Sequence, residues 1–171
     1  MNRSPIPRLC VLLLPLLMPV GGCTTYYLGS TLRGYASIGV VPFLNQTGEP
    51  QLEFAATQET LAAFQRDGTL TVADAASADL VLEAVLVGAT FEPLAYARNR
   101  SATAREFRYT ITARMTVTDR KTGRKLYDGR LVRADYTFRS DGDTQQARLS
   151  AQSGVARDLA QRLVRLVVEY W

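Results

Sequence analysis

The sequence predicts an α+β sandwich, with two helices packed on one face of a mostly antiparallel or mixed sheet of four to five strands. Three observations carry this. Phe107–Thr118 alternates strictly between apolar and polar residues, the period of a strand with one buried face. Ala151, Val155, Leu159, Leu163, Leu166 and Tyr170 recur at spacings of three to four, the stripe of a helix laid on a sheet. Leu80–Val87 is apolar at almost every position, which fits a central strand covered on two sides, or one covered by a partner. The element order read along the chain is β-α-β-β-β-β-α.

Each element has its own local reason. Ile38–Phe43 is a short buried strand, with Pro42 confined to its end or an edge. Asn45-Gln46-Thr47-Gly48 is a turn, and Glu49-Pro50 opens a helix with Pro near the first helical position. Leu52, Ala55, Ala56, Ala63 and Phe64 give that helix its core face, and Gly68 suits the left-handed position that ends it. Thr69–Val72 is a short strand, and Asp79-Leu80 begins a longer one running to about Phe91. Glu92–Thr103 reads as a loop. Asp119–Arg124 is a hairpin loop with Gly123 free to take a positive φ. The return strand from Lys125 to about Phe138 changes phase near Gly129, so a bulge is expected at Asp128-Gly129. Asp143 or Thr144 caps the last helix.

The N-terminal region is organised differently. Arg3 and Arg8 precede the apolar run Leu9–Met18, and Val20-Gly21-Gly22-Cys23 follows it. A basic segment, a short apolar segment and small residues form a secretory signal. The run is too short to cross a bilayer as a helix and is interrupted by Pro15. An aliphatic residue, two small residues and Cys resemble the bacterial lipobox, in which the Cys is acylated and becomes the first residue of the mature chain. The alternative is an ordinary secretory signal with a chance Cys. Thr24, where an Asp would favour inner-membrane retention, points to the outer membrane by resemblance to lipoprotein sorting rules. The chain thus divides into a signal peptide at 1–22, the lipidated Cys23 with a tether at 23–37, and a single α+β domain at 38–171. The tether carries Tyr26, Tyr27 and Tyr35, read either as part of a spacer or as residues that pack on a partner.

Composition excludes several functions. Removing residues 1–22 leaves 149 residues, enough for one domain with a sizeable core. The formal charge of +4 falls to +2, because Arg3 and Arg8 leave with the signal and no acidic residue does. That balance implies no general attraction to nucleic acid. Cys10 is lost with the signal and Cys23 is committed to lipid, so no thiol remains for a disulfide, a metal or catalysis. The chain has no His, which removes the commonest general base and zinc ligand together. No Gly-x-Ser-x-Gly, Ser-x-x-Lys or metal-ligand spacing is present. The expectation is a protein that is not an enzyme, with no cofactor and no metal.

The mature sequence resembles the LptE family, the lipopolysaccharide-assembly lipoproteins of Gram-negative outer membranes. The resemblance lies in a Tyr-rich start after Cys23, Leu32-Arg33-Gly34-Tyr35, Ile38–Phe43 with Asn45-Gln46-Thr47, and Pro50-Gln51-Leu52-Glu53. It continues through Phe64–Leu70, Ala78-Asp79-Leu80 and the Arg105–Thr118 strand with its hairpin. It implies a lipid-anchored protein on the periplasmic face of the outer membrane. Its implied partners are the LptD β-barrel, which it helps assemble and plugs, and lipopolysaccharide, which it helps pass to the cell surface.

Direct contact with that polyanion would use Arg or Lys. Two loops qualify: one with Arg98, Arg100 and Arg105, the other with Arg120, Lys121, Arg124 and Lys125. Each reads either as an ordinary solvated loop or as a contact for a polyanion. A competing function is a pilot or accessory lipoprotein of another outer-membrane pore.

Overall fold

The computed structural model describes residues 34–96, 104–139 and 144–169. The elements are β1 (Ser37–Val40), β2 (Leu44–Asn45), α1 (Leu52–Asp67), β3 (Thr71–Val72), β4 (Leu80–Tyr96), β5 (Ala104–Asp119), β6 (Lys125–Arg139) and α2 (Thr144–Val168). The sheet order is β3-β1-β4-β5-β6, with β2 also on β4. β1 pairs parallel with β3 and β4, and β2 pairs parallel with β4. The long β4-β5 and β5-β6 pairs are antiparallel. The fold is therefore α+β with a mixed sheet, one short strand richer than expected.

Pro42 creates that extra strand. Val41 still donates to Leu82 O at 3.0 Å. Pro42 has no N–H to continue the ladder, and the Phe43 amide turns instead to Thr57 Oγ1 at 3.0 Å. Pairing with β4 resumes at Leu44. The first helix also starts later than Glu49-Pro50. Gln51 sits at φ 63, and the turn before it is pinned by Asn45 Nδ2, which donates to Glu49 O and Glu53 Oε2, both at 2.7 Å. The helix ends as expected at Gly68, φ 72, whose N–H reaches Phe64 O.

β4 continues past Phe91 to Tyr96 because it stays paired with β5, through Pro93↔Phe107 and Tyr96↔Ala104. Beyond Leu86 its other edge has no neighbouring strand among the described residues, and there Pro93 costs no ladder bond. The register shift in β6 falls where the pattern placed it, with Gly129 at φ 66.

Both helices cover one face of the sheet. Leu80, Leu82, Ala84 and Leu86 of β4, and Tyr109, Ile111, Ala113, Met115 and Val117 of β5, meet Leu52, Ala56 and Phe64 of α1 and Val155, Leu159 and Leu163 of α2. α2 buries more than a single stripe, adding Ala156, Ala160, Val164 and Val167, because it touches the sheet and α1 together. Among the described residues no helix covers the opposite face of the sheet. Val81 and Val85 are half-buried there and Glu83 is exposed.

Candidate functional site

The basic hairpin tip is built around Asp119. Its Oδ1 accepts the amides of Lys121 at 2.9 Å and Thr122 at 3.2 Å, and its Oδ2 accepts the Thr122 hydroxyl at 2.7 Å. Gly123, at φ 72, closes the turn with an N–H to Asp119 O at 2.8 Å. A carboxylate holding several donors resists protonation. The Thr122 hydroxyl is the main reason that the Asp119 pKa is lowered, with help from Tyr35 and the Lys121 amide.

The same tip grips the start of β1. Tyr35 Oη donates to Asp119 Oδ2 at 3.0 Å. Asp79 accepts the Ala36 amide and the Ser37 hydroxyl, both at 3.0 Å, and Lys121 Nζ lies 3.0 Å from its Oδ1. The Ala36 amide, then Lys121 and Ser37, hold the Asp79 carboxyl far below the usual carboxylate range. Arg120 Nε donates to Ala78 O at 2.7 Å, and Lys125 pairs with Asp128 at 2.8 Å. Arg120, Lys121 and Lys125 thus each have a partner within the domain, and Arg124 is exposed beside them. The tip is a clasp on the point where the N-terminal segment enters the fold.

The other expected positions are placed less fully. Cys23, Arg98 and Arg100 lie outside the described residues. Arg105 is a position of β5, and the described side chains of that strand begin at Glu106.

The uncovered sheet face carries the second feature. Thr110, Thr112, Thr116 and Thr118 of β5 line it, with Arg108 and Arg114 exposed among them. One cross-strand row runs Leu44, Val85, Arg114, Leu131, and Leu44 and Leu131 are 64% and 62% exposed. This face mixes Thr and Arg side chains with the half-buried Val81 and Val85, and has two exposed apolar side chains at its flanks.

Comparison with known proteins now decides the family. A family model described as LptE, lipopolysaccharide-assembly, matches residues 35–169. The chain belongs to the LptE family. Among curated proteins no match was found. Among solved structures, the hypothetical protein CT253 from Chlamydia trachomatis is similar at 10% identity and TM-score 0.57, over 80% of this chain and 97% of that one. Protein XCC0632 from Xanthomonas campestris is similar at 11% identity and TM-score 0.50, over 81% and 89%. At these identities the likeness is one of fold. A minor lipoprotein from Acinetobacter baumannii aligns at 14% identity and TM-score 0.49, over 79% and 94%.

The LptE match begins at Tyr35, the residue held by Asp119. Among the described residues no helix is long and apolar enough to cross a membrane, and no group of His, Cys, Asp and Glu is placed to hold a metal ion.

Sequence reasoning missed a buried polar cluster at the other end of the helices. Glu49, 9% exposed, pairs with Arg148, and Gln152 donates to Pro50 O at 3.2 Å. Arg148 also lies over the Phe91 ring, 5.4 Å from its centroid. Tyr109 is fully buried beside them, and its hydroxyl has no hydrogen-bond partner in normal geometry among the described residues. Burial first, and then the nearby Glu49 carboxylate, raise the Tyr109 pKa above its ordinary value. The only sequence signal for this cluster was an Arg and a Gln four apart on the core side of α2.

Proposed function

We propose that this protein is a non-enzymatic outer-membrane lipoprotein, acylated at Cys23, that partners an LptD-type β-barrel on the periplasmic side in lipopolysaccharide transport. The family match over residues 35–169 carries this reading. The uncovered sheet face supports it, since a Thr- and Arg-lined surface suits the wet, polar interior of a barrel. The lipid supports it as well. Several acyl chains anchor a domain firmly, and a domain anchored beside a barrel meets it at high effective concentration. In this reading Arg98, Arg100, Arg105, Arg120, Lys121, Arg124 and Lys125 are candidate contacts for lipopolysaccharide or the barrel. The covalent lipid is the only non-protein group required.

The test is a crosslinked pull-down of the membrane-anchored chain from its native envelope, with the captured partners identified by mass. Dominant recovery of an LptD-type barrel is the expected result. Recovery of a different pore would move the chain to another envelope machine, and recovery of the chain alone would remove the partner role.

A further inference from the structure

A cleft of about 270 Å³ opens between the last turns of α2 and the outer edge of β6, which pairs with no further strand among the described residues. Arg130, Leu131 and Arg133 line it from the strand, and Arg162, Arg165 and Leu166 from the helix. Among the described residues no carboxylate lines it. Arg162 is paired with Asp158 and Asp135, and Arg130 lies over the Tyr127 ring. Arg133 and Arg165 have no carboxylate partner among the described residues. Cations gathered at one place repel one another, so the cleft favours an anion.

The protein already displays how this edge takes an anion. The Asp158 carboxylate is held by the Asp135 amide at 3.0 Å and by Arg162 Nε at 2.8 Å. Along a strand, amides two residues apart point the same way. The amides of Arg133 and Leu131 therefore face the cleft as that of Asp135 faces Asp158. One step down the edge, Arg133 and Leu131 of the strand and the Arg165 side chain line the same cleft, with no carboxylate among the described residues to fill it.

We propose that this cleft binds the phosphodiester headgroup of an anionic phospholipid and seats the β6 edge on the leaflet that carries the lipid anchor. Guanidinium groups and amides are the donors a phosphate takes. The volume falls below the ~300–1,000 Å³ of a typical small-molecule pocket, so it admits a headgroup and leaves the acyl chains outside. Position agrees. β6 starts at the hairpin that clasps Tyr35, so the cleft lies about 20 Å from the point where the tether enters. Residues 24–34 span at most about 36–40 Å when extended, so the leaflet is within reach. The inference rests on the acylation of Cys23 in the reading above, and not on the identity of the barrel.

The experiment titrates the full acylated chain, in micelles of a neutral detergent, with dihexanoyl phosphatidylglycerol. Arginine Nε–H resonances are followed by NMR. Saturable shifts at Arg133 and Arg165 are expected, with none from dihexanoyl phosphatidylcholine. Arg133→Gln with Arg165→Gln should weaken binding about 25-fold, at about fivefold for each arginine near an anionic surface. The Lys versions of both keep charge and fold but lose the planar fork, and should lie between. Arg66→Gln with Arg157→Gln, the same charge change elsewhere, should alter affinity less than about twofold. Absence of shifts overturns the proposal. Equal binding of inorganic phosphate overturns the lipid assignment, and tighter binding of lipopolysaccharide in the same cleft transfers the site to that glycolipid. A chain that captures a barrel yet ignores phosphatidylglycerol fails this inference alone. One that binds phosphatidylglycerol and captures no barrel fails only the function proposed above.

Discussion

Gly39→Ala tests whether the packing of β1 is as tight as the geometry requires. A Cβ at Gly39 would stand 2.4 Å from Ala75 Cα and 2.8 Å from Ala75 N, so a methyl group there needs the backbone to retreat by about 1 Å. That backbone is not free. Ala73 N donates to Ile38 O at 3.0 Å, and Ser77 N and Ala78 N donate to Asp74 O at 2.9 and 2.8 Å. Overpacking costs about 1–3 kcal/mol, and weakening one of those bonds about 1 more. The gain from a stiffer unfolded chain is about 0.4–1 kcal/mol, so a net loss of about 2–3 kcal/mol remains. At about 3 °C per kcal/mol for a domain of this size, Tm should fall by about 6–9 °C. Gly154→Ala provides the internal contrast. Its Cβ would stand 2.7 Å from the Tyr136 ring, but that ring is 40% exposed and free to swing outward. The lost stacking on Phe138, whose centroid is 6.0 Å away, costs about 0.5–1.5 kcal/mol. Replacing a mid-helix Gly returns about 1 kcal/mol. Thermal unfolding followed by circular dichroism separates the two. A Gly39→Ala Tm within about 2 °C of wild type, or an equal fall for Gly154→Ala, would refute the argument.

Three further outcomes follow from the buried and clasped polar groups. Arg148→Met keeps a side chain over Phe91 but strands the nearly buried Glu49. It should lower stability in urea by about 2–4 kcal/mol, with much of the loss restored by adding Glu49→Gln; no loss would show the pair to be idle. Tyr109→Phe removes a buried hydroxyl that has no partner in normal geometry among the described residues, so it should be neutral or stabilising by up to about 1 kcal/mol. Because the Tyr109 pKa is raised in the fold, its contribution is complete below the unfolded value of about 10 and is lost as pH climbs past it, a loss the Phe variant avoids. Destabilisation by the Phe variant at neutral pH would mean that the hydroxyl is bonded. Asp79 and Asp119 have lowered pKa values, so their contribution is complete above about pH 4 and disappears as pH falls through the folded values. Asp79→Asn with Asp119→Asn should lower the neutral plateau and flatten the acid limb; an unchanged acid limb would place the sensitivity elsewhere.

The fold was legible wherever one residue's neighbours in sequence decide its fate. Phe107–Val117 alternates because the helices among the described residues cover one side of β5 only, and the sequence records that difference at every second position. Gly68 and Gly123 take the positive φ their turns require. Boundaries were missed where a distant group overrides a local preference. Glu92–Thr103 reads as a loop by composition, yet β4 runs to Tyr96 because the β5 strand opposite continues to offer partners. Leu44–Asn45 becomes a strand only because β4 is there to receive it. Val81 and Val85 made β4 look covered on both faces, whereas the structure leaves that side half-buried, which is what a surface awaiting a partner would show.

The site was less legible for the same physical reason, and the hairpin tip shows why. Arg120, Lys121, Arg124 and Lys125 look like a cationic loop in search of an anion, because their partners lie far away in sequence. Lys121 and Arg120 reach Asp79 and Ala78, 42 positions upstream, and Tyr35 returns to Asp119 across 84. Once those bonds are counted, much of the tip's charge is directed at the fold's own entry point. The stronger anion-seeking charge lies instead in the β6–α2 cleft. There Arg130 and Arg133 come together with Arg162 and Arg165 only through tertiary packing, so neither pair stands out along the chain. In the lipid-anchored arrangement proposed above, a clasp on Tyr35 also fixes which way the domain faces the leaflet. Lys121→Ala should then weaken binding to phosphatidylglycerol vesicles without touching a residue of the cleft, and unchanged binding would refute that link.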